Sequence, residues 1–219
     1  MPVYNGEKYL REAIESILNQ SFTDYEFLIM NDGSQDQSVD IINSYHDPRI
    51  RLVLNEPTLG LVHMLNRGIE NSRSCYIARM DCDDISMPQR LTKQVAFMNQ
   101  HPEVGICGTW IEYFMGKQYL LQLPVSDSEI KQALPSYCPM AHPTVMFRTA
   151  VVKNNGLYYS HDFPYVEDYE LWFRAAQITC FANIPEVLLK YRIHPGQIGA
   201  THLADQQAMI NKIKARYGS

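Results

Sequence analysis

From Asn5 to Met98 this chain alternates apolar, β-type runs with segments of helical period, and that rhythm admits few folds. Leu10, Ala13, Ile14, Ile17 and Leu18 make one apolar stripe behind Asn5, which is placed to cap their helix. Tyr25 to Met30 reads as a strand ending at Asn31-Asp32-Gly33-Ser34. A helix with Val39, Ile42 and Tyr45 inward follows, then a strand from Ile50 to Leu54. Gly60 precedes a helix carrying Leu61, Met64, Leu65 and Ile69. Cys75 to Ala78 is a short apolar strand, and Leu91, Val95 and Met98 share one face of a further helix. Strands alternating with helices predict an open, mostly parallel sheet covered on both faces.

Sheets of this kind bind ligands outside the carboxyl ends of their strands. Asp32 falls at such an end, and so does Asp81-Cys82-Asp83-Asp84, which follows the Cys75 strand after Arg79-Met80. The two features are therefore expected to be neighbours. In an extended segment Asp81 and Asp83 face the same way and Asp84 the other. Two carboxylates on one side of a strand end suit a hard divalent cation, usually completed by water and substrate phosphate. The pattern points to chemistry on a phosphorylated ligand. A blander reading stands beside it: Asp83-Asp84 caps the helix that Pro88 opens, and Asp32 belongs to an Asp-Gly turn. Cys82 reads as packing, because a hard cation prefers oxygen.

Beyond Gly105 the rhythm weakens. Trp110 to Met115 and Tyr119 to Leu123 are expected to pair as a hairpin around Gly116-Lys117, and Ser126 or Asp127 to cap a short helix reaching Leu134. Thr144 to Phe147 and Val187 to Ile193 read as strands. Glu167 to Gln177 reads as a helix with Leu171, Trp172 and Ala175 inward, and Leu203 to Arg216 as a final amphipathic helix. Residues 1–104 thus form a βαβ half and residues 105–219 an α+β elaboration, together one compact domain. A length of 219 residues suits one large core. A net charge of −5 argues against a general nucleic-acid binder. Five scattered cysteines without a Cys-x-x-Cys pair argue against zinc and disulfide frameworks and for a reducing cytoplasm. No apolar run is long enough to span a bilayer, and Asn5, Glu7, Lys8 and Arg11 arrive too early for a signal peptide. Lys212, Lys214 and Arg216 form a basic stripe, read as a solvated helix face, with contact to anionic lipid as the alternative.

An ordered set of motifs resembles the family 2 glycosyltransferases, whose fold is GT-A. The set comprises Pro2-Val3-Tyr4-Asn5-Gly6, Asn31-Asp32-Gly33-Ser34, Leu65-Asn66-Arg67-Gly68-Ile69 and the run from Ile77 to Asp84. His142-Pro143-Thr144, Glu167-Asp168-Tyr169-Glu170-Leu171-Trp172 and Tyr191-Arg192-Ile193-His194 complete it. Each motif alone is weak; their order along almost the whole chain is specific. The resemblance implies a Rossmann-like, mostly parallel sheet flanked by helices, with the second half on the acceptor side. It implies inverting transfer of a sugar from a nucleoside-diphosphate sugar, first choice a UDP-sugar, to a hydroxyl acceptor. That acceptor would be a saccharide or lipid-linked saccharide, in bacterial cell-surface polysaccharide or glycolipid synthesis. Mn²⁺ or Mg²⁺ is the implied cofactor, and the cytoplasm, or the inner face of its membrane, the implied location. One departure is visible. Family members carry several apolar residues ahead of the Pro-Val-Tyr motif, whereas this sequence opens Met1-Pro2. The first strand is therefore expected to be truncated, with core exposed and ladder groups unpaired.

The resemblance also distributes roles. Asp32 would accept a hydrogen bond from a nucleobase N–H, and Pro2, Val3 and Tyr4 would line the nucleoside pocket, partly through backbone groups. Asp83 would hold the cation, Asp81 would touch ribose or complete the metal shell, and Asp84 would be structural. A cation bridging the phosphates stabilises the departing nucleoside diphosphate as a Lewis acid. His194 would lie near the diphosphate as a further metal ligand, or is a turn histidine; imidazole suits Mn²⁺ better than Mg²⁺. Arg79 would neutralise phosphate or pair with a neighbouring acid. Asp168 is the expected general base, with Glu167 the alternative, since a base at a helix start is held in fixed geometry. The competing reading is that both acids simply favour a helix N-terminus. His142 would reach donor sugar or phosphate, or is a structural histidine before Pro143. Trp172, one turn beyond Asp168, packs in the core or borders the donor sugar or acceptor. Two other functions compete. A nucleotidyltransferase also places acids at strand ends, but Asn5-Gly6-Glu7 lacks that class's glycine- and basic-rich loop. A non-catalytic nucleotide-sugar-binding module is the other.

Overall fold

The computed structural model describes residues 1–116 and 118–217. β1 (Pro2–Val3), β2 (Phe27–Asn31) and β3 (Ile50–Leu54) form a parallel sheet with β2 in the middle. Phe27 and Ile29 of β2 bury against Leu10, Ala13, Ile14 and Ile17 of α1 (Leu10–Leu18) and Ile42 of α2 (Ser38–Asn43). α1 starts later than Asn5 could cap: Tyr9 stands at the cap position and offers no side-chain bond. Asn5 instead adopts a left-handed φ of 48°, and its Oδ1 accepts from the Gln35 N–H at 2.9 Å. Asn tolerates that conformation better than most residues.

β1 is short, as expected. Its parallel register covers only Met30 and Asn31 of β2. The Met1 nitrogen donates to the Leu28 carbonyl at 2.9 Å. A largely apolar cavity of about 570 Å³ lies beside it, lined by Phe27, Leu28, Leu65, Ile77, Met80 and Arg90 among others.

α3 (Leu61–Asn71) follows β3, and β4 (Tyr76–Ala78) follows α3. β4 belongs to a second sheet with β5 (Ile85–Ser86), β6 (Val104–Phe114), β7 (Tyr119–Leu121), β8 (Met146–Arg148) and β9 (Cys180–Arg192). The order is β4-β8-β6-β9-β5, with β7 also on β6; β6 and β9 run parallel and the other pairs antiparallel. The fold is thus mixed α/β, with parallel-rich sheet flanked by helices. β6 and β7 pair as the expected hairpin, Tyr113 opposite Tyr119; Lys117 in its connection lies outside the described residues. β9 runs seven residues further back than the strand expected from Val187. Its register on β6 jumps from Ile184 to Val187, so Pro185 and Glu186 form a bulge. Proline has no N–H for a ladder, which places it at such a bulge.

α4 (Arg90–Gln100) begins after Gln89, with β5 between it and the acidic run, so Asp83 and Asp84 do not cap it. α5 (Asp127–Ala133) carries a full capping box: Ser126 Oγ accepts from the Glu129 N–H, and Glu129 returns a carboxylate to the Ser126 N–H. α6 (Thr149–Asn154), α7 (Glu167–Ala175), α8 (Ile198–Thr201) and α9 (Leu203–Tyr217) complete the chain. Val62, Leu65 and Ile69 of α3 share a core with Phe147, Trp172, Phe181 and Ile213, so that core draws on both halves. The basic stripe on α9 is engaged in docking the helix. Lys212 donates to the Asp162 carbonyl at 2.9 Å and Lys214 to the Ser136 carbonyl at 3.2 Å, while Arg216 lies over Phe163 and Tyr217.

Candidate active site

Three loops meet at the carboxyl edge of the parallel strands. The turn after β1 is stitched to the turn after β2: Gly6 N–H donates to Ser38 Oγ and Glu7 N–H to Asp36 Oδ2, each at 2.9 Å. Gly6 also abuts the acidic run, since a Cβ built on it would lie 3.2 Å from Cys82 Sγ. The expected proximity of the Asp32 loop and the acidic run is therefore mediated by Asn5-Gly6-Glu7.

Asp81, Asp83 and Asp84 each offer a carboxylate oxygen, and the three oxygens lie within 4.8 Å of one another. This alters the expectation for Asp84. The chain bends after Asp83 rather than staying extended, so Asp84 joins the cluster from the buried side. Its Oδ1 accepts from the Arg192 N–H at 2.9 Å, while Oδ2 is buried without a partner. Burial, then Asp81 and Asp83, push the Asp84 carboxyl well above its usual range. His194 Nε2 lies 2.9 Å from Asp83 Oδ2, so the histidine predicted from a distant motif reaches the acid predicted to hold the cation. Tyr9 borders this pair, its ring 4.9 Å from that of His194. A half-buried acid pair, an imidazole and a deep carboxylate oxygen without a partner form a donor set that fits a hard divalent cation.

Arg192 holds this arrangement together. Its Nε donates to the Asp83 carbonyl at 2.7 Å and its Nη2 to Glu12 of α1 at 2.8 Å. It is buried, and its guanidinium stacks over Tyr9 and Phe114. β5 pairs with the end of β9, which brings Arg192 under the acidic run. Sequence reasoning missed Arg192 although it stands two residues before His194 in a quoted motif.

The second acidic group stands on the first turn of α7. Glu167 is buried, and burial followed by the neighbouring Asp168 raises its pKa to about 7. Asp168 is less buried, and desolvation raises its carboxyl too. Arg79 joins the two acidic groups. It is buried, its Nη1 pairs with Asp81, and its charge acts on Glu167, Asp168 and Tyr159. Of the two expectations for Arg79, pairing with a neighbouring acid is the one present in the structure. Burial opposes its charge, but Asp81, Tyr159 and Glu167 together outweigh burial and hold the guanidinium charged.

His142 lies in a 3-10 turn, His142–Thr144, with Nε2 2.8 Å from the Tyr159 hydroxyl and Nδ1 3.9 Å from Asp168 Oδ2. It borders the α7 acids. Cys138 Sγ also stands 3.9 Å from Asp168 Oδ2. Neither Tyr159 nor Cys138 carried a sequence signal, because each is a loop residue with nothing local that points to Asp168. Of the two expectations for Trp172, core packing is the one present in the structure, and a border with the donor sugar or acceptor is corrected. The side chain is fully buried against Phe147, Phe181 and His142, and no face remains for a sugar or an acceptor. An indole on the inward face of α7 anchors that helix from beneath.

At the other end of the cleft Tyr4 is exposed while Val3 is buried, so Val3 meets the cleft only through its backbone. The Val3 carbonyl already accepts from the Asp32 N–H at 2.9 Å. The Asp32 carboxylate is buried and engaged by Asn55 Nδ2 (2.9 Å) and the amides of Leu59 (2.9 Å) and Gly60 (2.8 Å). In this conformation it anchors the 55–60 turn and the start of α3. Asn55 receives in turn from Arg67 Nη1 at 2.9 Å.

Comparison with known proteins adds the following. The family model for glycosyl transferase family 2 matches residues 1–154. The amylovoran biosynthesis glycosyltransferase AmsE of Erwinia amylovora is 36% identical over 87% of this chain and 73% of its own length. The structure of Staphylococcus aureus TarS 1-349 in complex with UDP-GlcNAc superposes with a TM-score of 0.82 at 18% identity, over 98% of this chain and 64% of that one. The mannosyltransferase PcManGT of Pyrobaculum calidifontis, in complex with GDP-Man and Mn²⁺, gives a TM-score of 0.71 at 16% identity, over 96% and 62%. The chain thus spans under two thirds of these two solved chains, which share its fold.

Proposed function

This chain belongs to glycosyl transferase family 2, and from that premise we propose that it moves a sugar from a nucleoside-diphosphate sugar, first choice a UDP-sugar, to a hydroxyl acceptor with inversion. The acceptor class is a saccharide or lipid-linked saccharide of bacterial cell-surface polysaccharide or glycolipid synthesis, by analogy with the amylovoran relative. The proposed site of action is the cytoplasm, or the inner face of its membrane. Among the described residues no helix is long and apolar enough to cross a membrane.

The observation that carries the reading is the pairing of two unlike acidic groups across Arg79. On one side Asp83, His194 and Asp81 would hold Mn²⁺ or Mg²⁺, with Asp84 closing the cluster from below. Such a cation, when bound, neutralises charge on a diphosphate leaving group. On the other side burial raises the Asp168 carboxyl above its usual range, which makes it a better proton acceptor. Asp168 removes the acceptor proton as that oxygen attacks the anomeric carbon; Glu167, deeper in the fold, shares the field but has less access. Arg79 stays charged between them and screens one carboxylate group from the other. Exposed Tyr4 offers a face for the nucleobase, and Pro2 and Val3 border it through the backbone.

Calorimetry with UDP, GDP and dTDP, with and without Mn²⁺, followed by donor hydrolysis, tests this. Nucleotide binding that strengthens with Mn²⁺ and vanishes in Asp83→Ala is expected. If Asp83→Ala keeps the Mn²⁺-dependent binding, the metal assignment is wrong. If Asp168→Asn transfers at the full rate, the base is elsewhere. Metal-dependent binding without turnover of any donor supports a non-catalytic binding module instead.

A further inference from the structure

We propose that His142 and Tyr159 position the base: together they hold Asp168 through its Oδ2 oxygen and leave Oδ1 to take the acceptor proton. This rests on Asp168 being the base.

Three contacts define the arrangement. Tyr159 Oη and His142 Nε2 are 2.8 Å apart, and His142 Nδ1 and Cys138 Sγ each lie 3.9 Å from the same Asp168 oxygen, Oδ2. The buried imidazole packs edge-on against Trp172, with 6.1 Å between ring centroids and planes at 79°. Tyr159 is fixed at its own backbone. Its N–H donates to Asn66 Oδ1 at 2.8 Å, and Asn66 Nδ2 donates to its carbonyl at 2.9 Å. Asn66 lies on α3, so the network links the Leu65-Asn66-Arg67 motif to the base helix.

The protons can be placed. Burial, aided by the charge of Arg79, holds His142 neutral, with a pKa well below 6.5. Burial also keeps the Tyr159 hydroxyl and the Cys138 thiol protonated. A neutral imidazole carries one N–H. With the tyrosine hydroxyl donating to Nε2, that N–H is on Nδ1 and faces the carboxylate. The 3.9 Å separation is longer than a hydrogen bond, and such contacts in free enzymes commonly tighten when substrate binds. The charged and titratable groups facing Asp168 are Arg79, Asp81, Glu167, Cys138, Tyr159 and His142. Among the described side chains Cys138 and His142 bring a donor atom towards Oδ2, and the Tyr169 and Asp168 backbone N–H groups also favour the carboxylate.

Two measurements test the proposal. Nitrogen-15 NMR of the histidine rings in the free protein, with the His142 signal identified from His142→Asn, reads the tautomer directly. The expected result is a ring that stays neutral and Nδ1–H through the range in which an ordinary histidine takes up its proton, and that moves towards Nε2–H in Tyr159→Phe. A ring that is Nε2–H in the wild type, or that titrates normally, overturns the proposal. Turnover is read by nucleotide release from UDP-GlcNAc with Mn²⁺. His142→Leu should lower kcat by about 100-fold, the cost of a small misplacement of a catalytic group, with KM for the donor within about twofold. The acidic limb of the pH profile should move up, because a lost N–H donor no longer favours the carboxylate, and His142→Asn should restore much of the rate. A raised KM at unchanged kcat makes His142 a donor contact and overturns the proposal. Full activity in a folded His142→Leu, with Asp168→Asn inactive, leaves the base standing and removes His142 from it. An active Asp168→Asn removes the base itself.

Discussion

Asp32→Ala separates two roles that one residue was expected to combine. In the structure the carboxylate is an internal anchor with three donors converging on it. The Asn55 amide is buried, so losing a charged acceptor there costs about 2 kcal/mol. Leu59 and Gly60 are exposed, and water can replace the carboxylate at their amides, so each adds only about 0.5 kcal/mol. The predicted loss is about 3 kcal/mol, or roughly 6–12 °C in Tm for a chain of this size. Thermal unfolding followed by circular dichroism measures it. Asp32→Asn should fall by less, since one acceptor oxygen remains. Nucleotide affinity should drop as well, because the 55–60 turn loses its shape. A Tm within about 2 °C of wild type, with nucleotide binding lost, would refute the anchoring argument and return Asp32 to a direct contact with the base.

Two further outcomes follow from the site. The folded Glu167 carboxyl has its pKa raised from 4.5 to about 7, so the native state holds a proton that the unfolded chain releases. Stability should therefore decline as the pH rises from about 4.5 to about 7, and denaturant titrations of Glu167→Gln should show a shallower decline over that window. Trp172→Ala empties the floor beneath α7 and should cost about 3–5 kcal/mol, whereas a sugar-contacting tryptophan at the surface would leave the urea midpoint nearly unchanged.

Where sequence and structure agree, the local signal was strong and unopposed. Ile50–Leu54 is a β-type run between turns, and Leu61–Asn71 has both a start signal at Gly60 and a clear apolar stripe. Where they differ, a long-range contact decides. Pro185 reads as a strand breaker, yet β6 absorbs it as a bulge, so the first half of β9 was hidden. Asn5 resembles a helix cap because caps and tight loops favour the same residue, and the bond to Gln35 selects the loop. The acidic run and the α7 acids were legible as residue types at element ends. Their neighbours Tyr159, Cys138 and Arg192 were not, because nothing local distinguishes a loop tyrosine, a lone thiol or a strand arginine from its ordinary counterparts. Trp172 shows the opposite error, since an aromatic residue near two catalytic candidates suggested a ligand where the helical period had already placed it inward.

β9 has a consequence for how a chain of this kind can diversify. Its first residue follows closely on α7, which bears Asp168, and its last lies two positions before His194. Asp168 stands on the first turn of α7, so α7 leads the chain away from the acids and β9, as one strand, leads it back to His194 and behaves as a ruler. Loops such as 160–165, or the β6–β7 connection, can be exchanged or lengthened without changing that span, and loops are where specificity is most easily revised. A one-residue deletion between Val187 and Arg192 is different in kind. It would turn every following side chain to the opposite face, removing Arg192 from beneath the acids and His194 from Asp83 in the same event. Inheritance in this fold should therefore tolerate varied loops around a β9 of constant length.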